Sequence, residues 1–393
     1  MKLGFYVKNL QKESAGGAYT YQQSLLQEIL KLNTEHEIVI YYKNKNVLFE
    51  DKRNVHFVNL FYEKKDIIAK KFFFKIRKTV KVTLNDLVLR DNIELLFFVP
   101  PGFENVSIPY VFTLWDLDHK QTPYFPEVSV TGFNFDAREK FYSSAIQKAS
   151  FVVIGNVEGK RQVCRYYNVN NDLVITNPMP TPSYIYNSVE NKDVLVRNNL
   201  INQQYLFYPA QFWPHKNHIR LVKALKVLKE QGYNYKMVFT GADKGNENYI
   251  KEKTLEYGLE NDVLFLGFVS QEELIALYKN AYALTFASYM GPDNIPPLEA
   301  MGLGCPVISS NTAGMQEQLK DAALFFDPKS EKSLVEQIIK LEDKKHRENL
   351  ISKGYELAKQ YNMEKYVDNL LRIAENFQPI RECWSNKELY IHL

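Results

Sequence analysis
Short apolar runs alternate along this chain with stretches of helical spacing. The runs lie at 2–7, 37–42 (EIVIYY), 55–60, 94–99 (ELLFFV), 109–114 (PYVFTL) and 151–154. Runs of this length, dense in Val, Ile, Phe and Tyr, predict buried strands. After the first, Gly16-Gly17 precedes Tyr21, Leu25, Leu26, Ile29 and Leu30, whose spacing predicts a helix. Between 178 and 205 the chain turns Pro-rich and then polar, which marks a domain boundary. A second series starts at 205–210 (YLFYPA) and adds strands at 236–240, 263–266, 282–286 and 306–309. Helices are expected at 217–231, 246–257, 271–279, 296–302 and 329–341, followed by one long helix over 344–376. Alternation of this kind predicts parallel sheets covered by helices. The expected fold class is α/β, with two Rossmann-like, doubly wound domains facing a central cleft. Residues 1–180 form the first and 181–376 the second, and 377–393 return to pack on the first. Ligands bind such sheets outside the carboxyl ends of the strands.

One stretch carries most of the chemistry: SYMGPDNIPPLEAMGLGCPVISSNTAGMQE, residues 288–317. A strand runs into a turn rich in Gly, Pro, Asp and Asn, and the turn feeds a helix opened by Pro296 and Pro297. A helix N-terminus offers unpaired N–H groups and partial positive charge to an anion. Glu299, in the first turn, either serves the helix dipole or accepts hydrogen bonds from a pair of sugar hydroxyls. A phosphate and a ribose held in one crevice are what a nucleotide-sugar site requires.

Composition narrows the class. The chain has 393 residues, enough for two cores, and is 45% hydrophobic and 24% charged. A net charge of +3 is too small to imply nucleic-acid binding. Cys164, Cys305 and Cys383 are far apart and odd in number, as reduced thiols are, without metal-ligand spacing. The N-terminal MKLGFYVKNL has no apolar signal core, and no run approaches the length of a membrane span. A cytoplasmic protein is expected.

These motifs resemble the retaining glycosyltransferases of family 4, which have the twin-Rossmann GT-B architecture. The likeness is densest from about Tyr205 to Phe377. The block PPLEAMGLGCPVISSNTAG with Glu317, followed by DAALFFDP, is similar to the family's donor-site core, and PHKNH (214–218) to its phosphate-binding lysine loop. Gly16-Gly17 resembles its glycine loop, and TLWDLDHKQTPYFPE (113–127) the loop at the sugar end of the cleft. The resemblance implies transfer of a hexose-like sugar from a nucleotide-diphosphate sugar, with retention and without cofactor or metal. The acceptor is a hydroxyl of a growing, lipid-linked or free, surface glycan. It assigns catalytic roles to Lys216, His119 and Asp116. Donor binding falls to Gly16, Gly17, Gln211, Lys216, Asp293, Asn294, Ile295, Leu298 and Glu299. The backbone N–H groups of Asp293 and Asn294 are expected to face the donor sugar.

Two positions depart from the family pattern. Gly291 stands where a glutamate is usual, eight residues before Glu299, and Gln211 where many members have arginine, five before Lys216. The alternatives are therefore a GT-B-like nucleotide-sugar binding protein without transferase activity, or a phosphorylase or epimerase on the same fold. His215 and His218 flank Lys216 and serve either phosphate or local structure. Asp116-Leu117-Asp118 has the shape of a metal-holding pair, yet the two-domain pattern argues against that use. Residues 64–81 (KKDIIAKKFFFKIRKTVK) carry eight Lys or Arg against one Asp. Such a segment either lies on an anionic membrane surface or forms a solvated helix.

Overall fold
The computed structural model describes residues 1–7, 9–10, 16–71, 74–100, 102–129, 135–187, 189–201 and 204–385. The strands are β1 (Lys2–Val7), β2 (Glu37–Tyr42), β3 (Val55–Asn59), β4 (Lys64–Lys71), β5 (Phe74–Lys81), β6 (Leu95–Val99), β7 (Tyr110–Leu114), β8 (Phe151–Ile154) and β9 (Val174–Thr176). The second series is β10 (Tyr205–Pro209), β11 (Lys236–Thr240), β12 (Val263–Phe265), β13 (Ala283–Phe286), β14 (Val307–Ser310) and β15 (Leu324–Phe326).

The first sheet has the order β3-β2-β1-β6-β7-β8-β9 and the second β12-β11-β10-β13-β14-β15, with parallel neighbours throughout. In each, the order reverses beside the first strand, and a crevice opens at that switch point. The sequence reading anticipated every strand of these sheets except β9 and β15, which are three residues each. Runs that short carry little periodic signal.

Burial explains the unbroken apolar runs. In β1, Leu3, Phe5 and Val7 enter one core and Tyr6 another, on the opposite face. In β6, Leu95, Phe97 and Val99 join the first of these, Leu96 and Phe98 the second. Strands covered on both faces need apolar residues at every position. Register then pairs the rings: Phe5 lies opposite Phe97 and stacks on it at 4.8 Å between centroids, and Tyr6 meets Phe98 edge-on at 5.7 Å. Removing one such ring would cost about 3–5 kcal/mol.

Two expectations are corrected. The single helix over 344–376 is two helices, Lys344–Gln360 and Met363–Arg381. Tyr361 leaves helical geometry, and Asn362 caps the second helix by accepting from the Lys365 N–H at 2.8 Å. The break is where the chain changes domains. Leu350, Leu357 and Ala358 pack in the second core, whereas Met363, Tyr366, Val367 and Leu370 pack in the first. The return to the first domain thus begins at Met363 rather than at 377. Residues 386–393 lie outside the described residues. Second, the basic stretch 64–81 does not form the solvated helix that was one of its two readings. Its backbone is an antiparallel ladder of β4 and β5, from Lys64 opposite Lys81 to Lys71 opposite Phe74. Ile, Phe, Val and Thr favour extended backbone, and this preference outweighs the helical spacing.

Candidate active site
A cleft of about 450 Å³ lies between the domains, walled by the loops that follow the carboxyl ends of β1, β7, β10, β11, β12 and β13. Gly16, Gly17, Asp116, Gln211, Lys216, Asp293, Asn294, Ile295 and Glu299 all line it. His119 and Leu298 do not. Leu298 is fully buried in the second core.

Lys216 ends a single turn, Pro214–Lys216, after which Asn217 adopts a left-handed conformation with φ of 59°. The Asn217 amide anchors this bend by donating to the Ala287 and Pro328 carbonyls, at 3.2 and 2.9 Å. The helix His218–Glu230 then begins. The Lys216 ammonium lies 3.5 Å from Ser288 Oγ and 5.5 Å from the centre of the Phe286 ring. Burial pulls its pKa down to about 8, against the attraction of Asp118, Asp116 and Glu127. The flanking histidines add no charge. Burial lowers His215 to about 4, although Glu127 bonds both its ring Nδ1 and its backbone N–H. Burial takes His218 to about 3, and its ring stacks on Phe212 at 4.3 Å.

Glu299 is held from two sides. Tyr184 and Tyr278 donate their hydroxyls to its two carboxylate oxygens, each at 2.8 Å. Burial raises its pKa and these two bonds oppose the rise. Nothing in the sequence flagged either tyrosine. Tyr278 ends one helix and Tyr184 stands in the crossover between domains.

The loop after β13 is stitched to the first domain residue by residue. Gly291 N–H donates to Asp118 at 2.6 Å, the Asn156 amide donates to the Pro292 carbonyl at 2.5 Å, and Met179 N–H donates to Asp293 at 2.7 Å. Ile295 then buries itself in the first domain's core. Gly291 has a φ of +96°, and a Cβ there would meet the Asn294 side chain at 2.5 Å. Position 291 is thus built for glycine, a physical reason for its lack of a carboxylate. Asp293 is half-buried, and its buried Oδ1 has no partner among the described residues. Burial, with Glu317 adding to it, raises its pKa to about 7. The Asn294 N–H, expected to face the sugar, is taken by Gln318 at 3.0 Å. Gln211 accepts from the Trp213 indole N–H at 3.0 Å.

On the opposite wall, Asp116 pairs with Arg138 at 2.6 Å. Burial would raise the Asp116 pKa, but Arg138, the Asp118 backbone N–H and His119 together hold it below the carboxylate range. His119 is fully buried: its Nε2 lies 2.5 Å from Glu139, and its ring packs on Phe135 and Tyr142, each at 5.5 Å between centroids. It is a structural histidine set behind the wall. Arg138, which also lines the cleft, carried no motif that would have singled it out, and Trp115 was noticed only as part of the 113–127 stretch.

The family described as "Glycosyl transferases group 1" matches residues 191–357. That stretch is most of the second domain. The O-antigen chain mannosyltransferase RfbU of Salmonella typhimurium is 30% identical over 230 residues, 58% of this chain and 61% of that protein. O-antigen chain mannosyltransferase B of Escherichia coli is 29% identical over 231 residues, 58% of this chain and 60% of that protein. The matched part is thus about three fifths of each relative's length. Sucrose-phosphate synthase from Thermosynechococcus elongatus superposes with a TM-score of 0.69 at 16% identity, covering 96% of this chain and 99% of that one. The architecture is GT-B, with the matched stretch supplying Lys216 and Glu299 to the cleft. Among the described residues no helix is long and apolar enough to cross a membrane.

Proposed function
We propose that this protein transfers a hexose-like sugar, with retention, from a nucleotide-diphosphate sugar to a hydroxyl of a growing surface glycan. The observation that carries this reading is the shared cleft, where Lys216 and Glu299 stand on one wall between two doubly wound domains. Kinship with two O-antigen mannosyltransferases supports mannose as the sugar and a polysaccharide as the acceptor.

In this reading Glu299, oriented by Tyr184 and Tyr278, accepts from the ribose hydroxyls. Lys216 and the Gly17 N–H stabilise the negative charge that builds on the departing diphosphate, an effect of about 10²–10³ in rate for one lost donor. The bond from the anomeric carbon to the diphosphate oxygen breaks as the acceptor oxygen bonds to that carbon on the same face. The acceptor proton passes to the departing phosphate oxygen. Asp293 orients the donor sugar, and Gln211 offers a neutral amide to the diphosphate. Asp116, fixed by Arg138, shapes the acceptor side. The reaction as drawn needs no metal, in keeping with Asp116 being engaged by Arg138 and Asp118 by Gly291. The β4–β5 hairpin, with its excess of basic residues, serves as the contact with an anionic membrane carrying a lipid-linked acceptor, at the cytoplasmic face.

A ligand that binds only the folded form raises the melting temperature. A panel of nucleotides and sugar nucleotides tests the donor reading. A rise with one nucleoside diphosphate and its sugar conjugate is expected, and no rise with any member overturns it. The substitutions at 291 and 211 favour a second reading, binding without transfer. Release of diphosphate that depends on an added glycan acceptor would exclude that alternative.

A further inference from the structure
Four carboxylates line the cleft: Asp116, Asp118, Asp293 and Glu299. Asp116 is neutralised by Arg138, and Glu299 has both oxygens on tyrosine hydroxyls. Asp118 and Asp293 differ from both, each giving one oxygen to a backbone N–H of the opposite domain; Asp118 is the one the first domain brings to the Gly291 loop. One oxygen accepts from the Gly291 N–H at 2.6 Å, across the domain boundary, and the other has no hydrogen bond among the described residues. Burial, reinforced by the neighbouring Asp116, raises its pKa to about 7, while Gly291 N–H, Arg138 and Lys216 act in the opposite sense. It therefore stands in the cleft within the field of Lys216, with one oxygen committed to the second domain and one uncommitted.

At residue 291 the positive φ disfavours any side chain, and a Cβ would have to displace the Asn294 amide. The first domain instead delivers a carboxyl group to the same backbone N–H. We propose that Asp118 is a specificity-determining residue for the donor: its uncommitted oxygen accepts a hydrogen bond from a hydroxyl of the transferred sugar. The anchoring bond to Gly291 fixes that oxygen relative to the second domain, which holds the nucleotide. A hydroxyl recognised this way is read only when the domains are closed. Sugar recognition is thereby tied to assembly of the site. The inference rests on the donor reading above and adds to it a second carboxylate, beside Asp293, that reads the sugar.

The test uses the whole protein and calorimetry with GDP-mannose, UDP-glucose and the two free nucleoside diphosphates. Asp118→Asn keeps an oxygen for the Gly291 N–H and removes the charge, so folding and closure are preserved. The variant should bind the preferred sugar nucleotide about 10–100-fold more weakly, the range for loss of a charged hydrogen-bond partner. Its affinity for the matching free diphosphate should stay within about twofold, since that ligand lacks the sugar. One monodeoxy analogue of the sugar should bind wild type and variant alike. Equal weakening of diphosphate and sugar nucleotide, or no weakening of either, overturns the role of Asp118 and leaves the donor reading standing. Failure of wild type to bind any of the four overturns both. Asp118→Ala, which also removes the Gly291 contact, should weaken the sugar nucleotide further; an affinity equal to wild type would reject the proposal.

Discussion
On the second-domain wall, Glu299 is positioned without the first domain's sheet. Its tyrosine partners stand on the helix Gln271–Asn280 and on the crossover turn Ser183–Ile185. Lys216 likewise sits on a turn anchored by Asn217 to neighbouring loops of its own domain. Where the walls meet, the arrangement is different. Asp118 and Asp293 each reach across to a backbone N–H of the opposite domain, over 173 and 114 residues of sequence. The Lys216 and Glu299 side chains are thus set mainly within one domain, with Glu127 and Gly17 reaching them from the first. The Asp118 and Asp293 contacts, by contrast, exist only when two domains close. The former pair can be largely preorganised in a folded domain. The latter depends on the hinge.

Substitutions on the two sides should therefore fail differently. Lys216→Ala should lower turnover about 10²–10³-fold with folding intact, the scale of one lost transition-state donor. Unchanged turnover at saturating donor would remove Lys216 from the phosphate site. Glu299→Gln should weaken nucleoside diphosphate binding about 10-fold, by loss of a charged acceptor. Equal affinity in calorimetry would show that Glu299 serves only its two tyrosines.

Asp293→Asn probes the closing side through pH. Asp293 titrates near 7 in the folded protein and near 3.8 in a model carboxyl, so the folded form holds the proton more tightly. Its stabilising contribution is complete below about 4 and is lost as pH rises through about 7. The melting temperature of wild type minus that of Asp293→Asn should fall by a few degrees between pH 5 and 8. A constant difference would mean that the carboxyl stays ionised. The smallest effect is expected far from the cleft. Replacing Lys70 and Lys71 with Gln should reduce binding to phosphatidylserine vesicles a few-fold at low salt and leave it unchanged at high salt. No difference at low salt would detach the hairpin from the membrane.

The contrast between the walls also marks how far the sequence could be read. Lys216 and Glu299 were legible because each lies in a short segment whose strand, turn and helix are adjacent along the chain. Asp116 was noticed as part of an Asp-x-Asp pair, but its partner Arg138 was not, since no local pattern joins them. His119 was given a role through the family likeness of 113–127, and tertiary packing puts it behind the wall against Glu139. The break at Tyr361 and Asn362 escaped notice because the apolar spacing continues on both sides, although the two halves pack in different domains.

The chain by itself determined two doubly wound sheets and placed Lys216 and Glu299 just beyond strand ends of the second. Apolar period, strand length and turn chemistry are local, and they add up to a sheet. What folding in three dimensions decided is which acids face the cleft and which are already spoken for. Hydrogen bonds between residues more than a hundred positions apart leave no periodic trace in a sequence. The Gly291 N–H acquires its carboxyl partner only when the first domain closes over it.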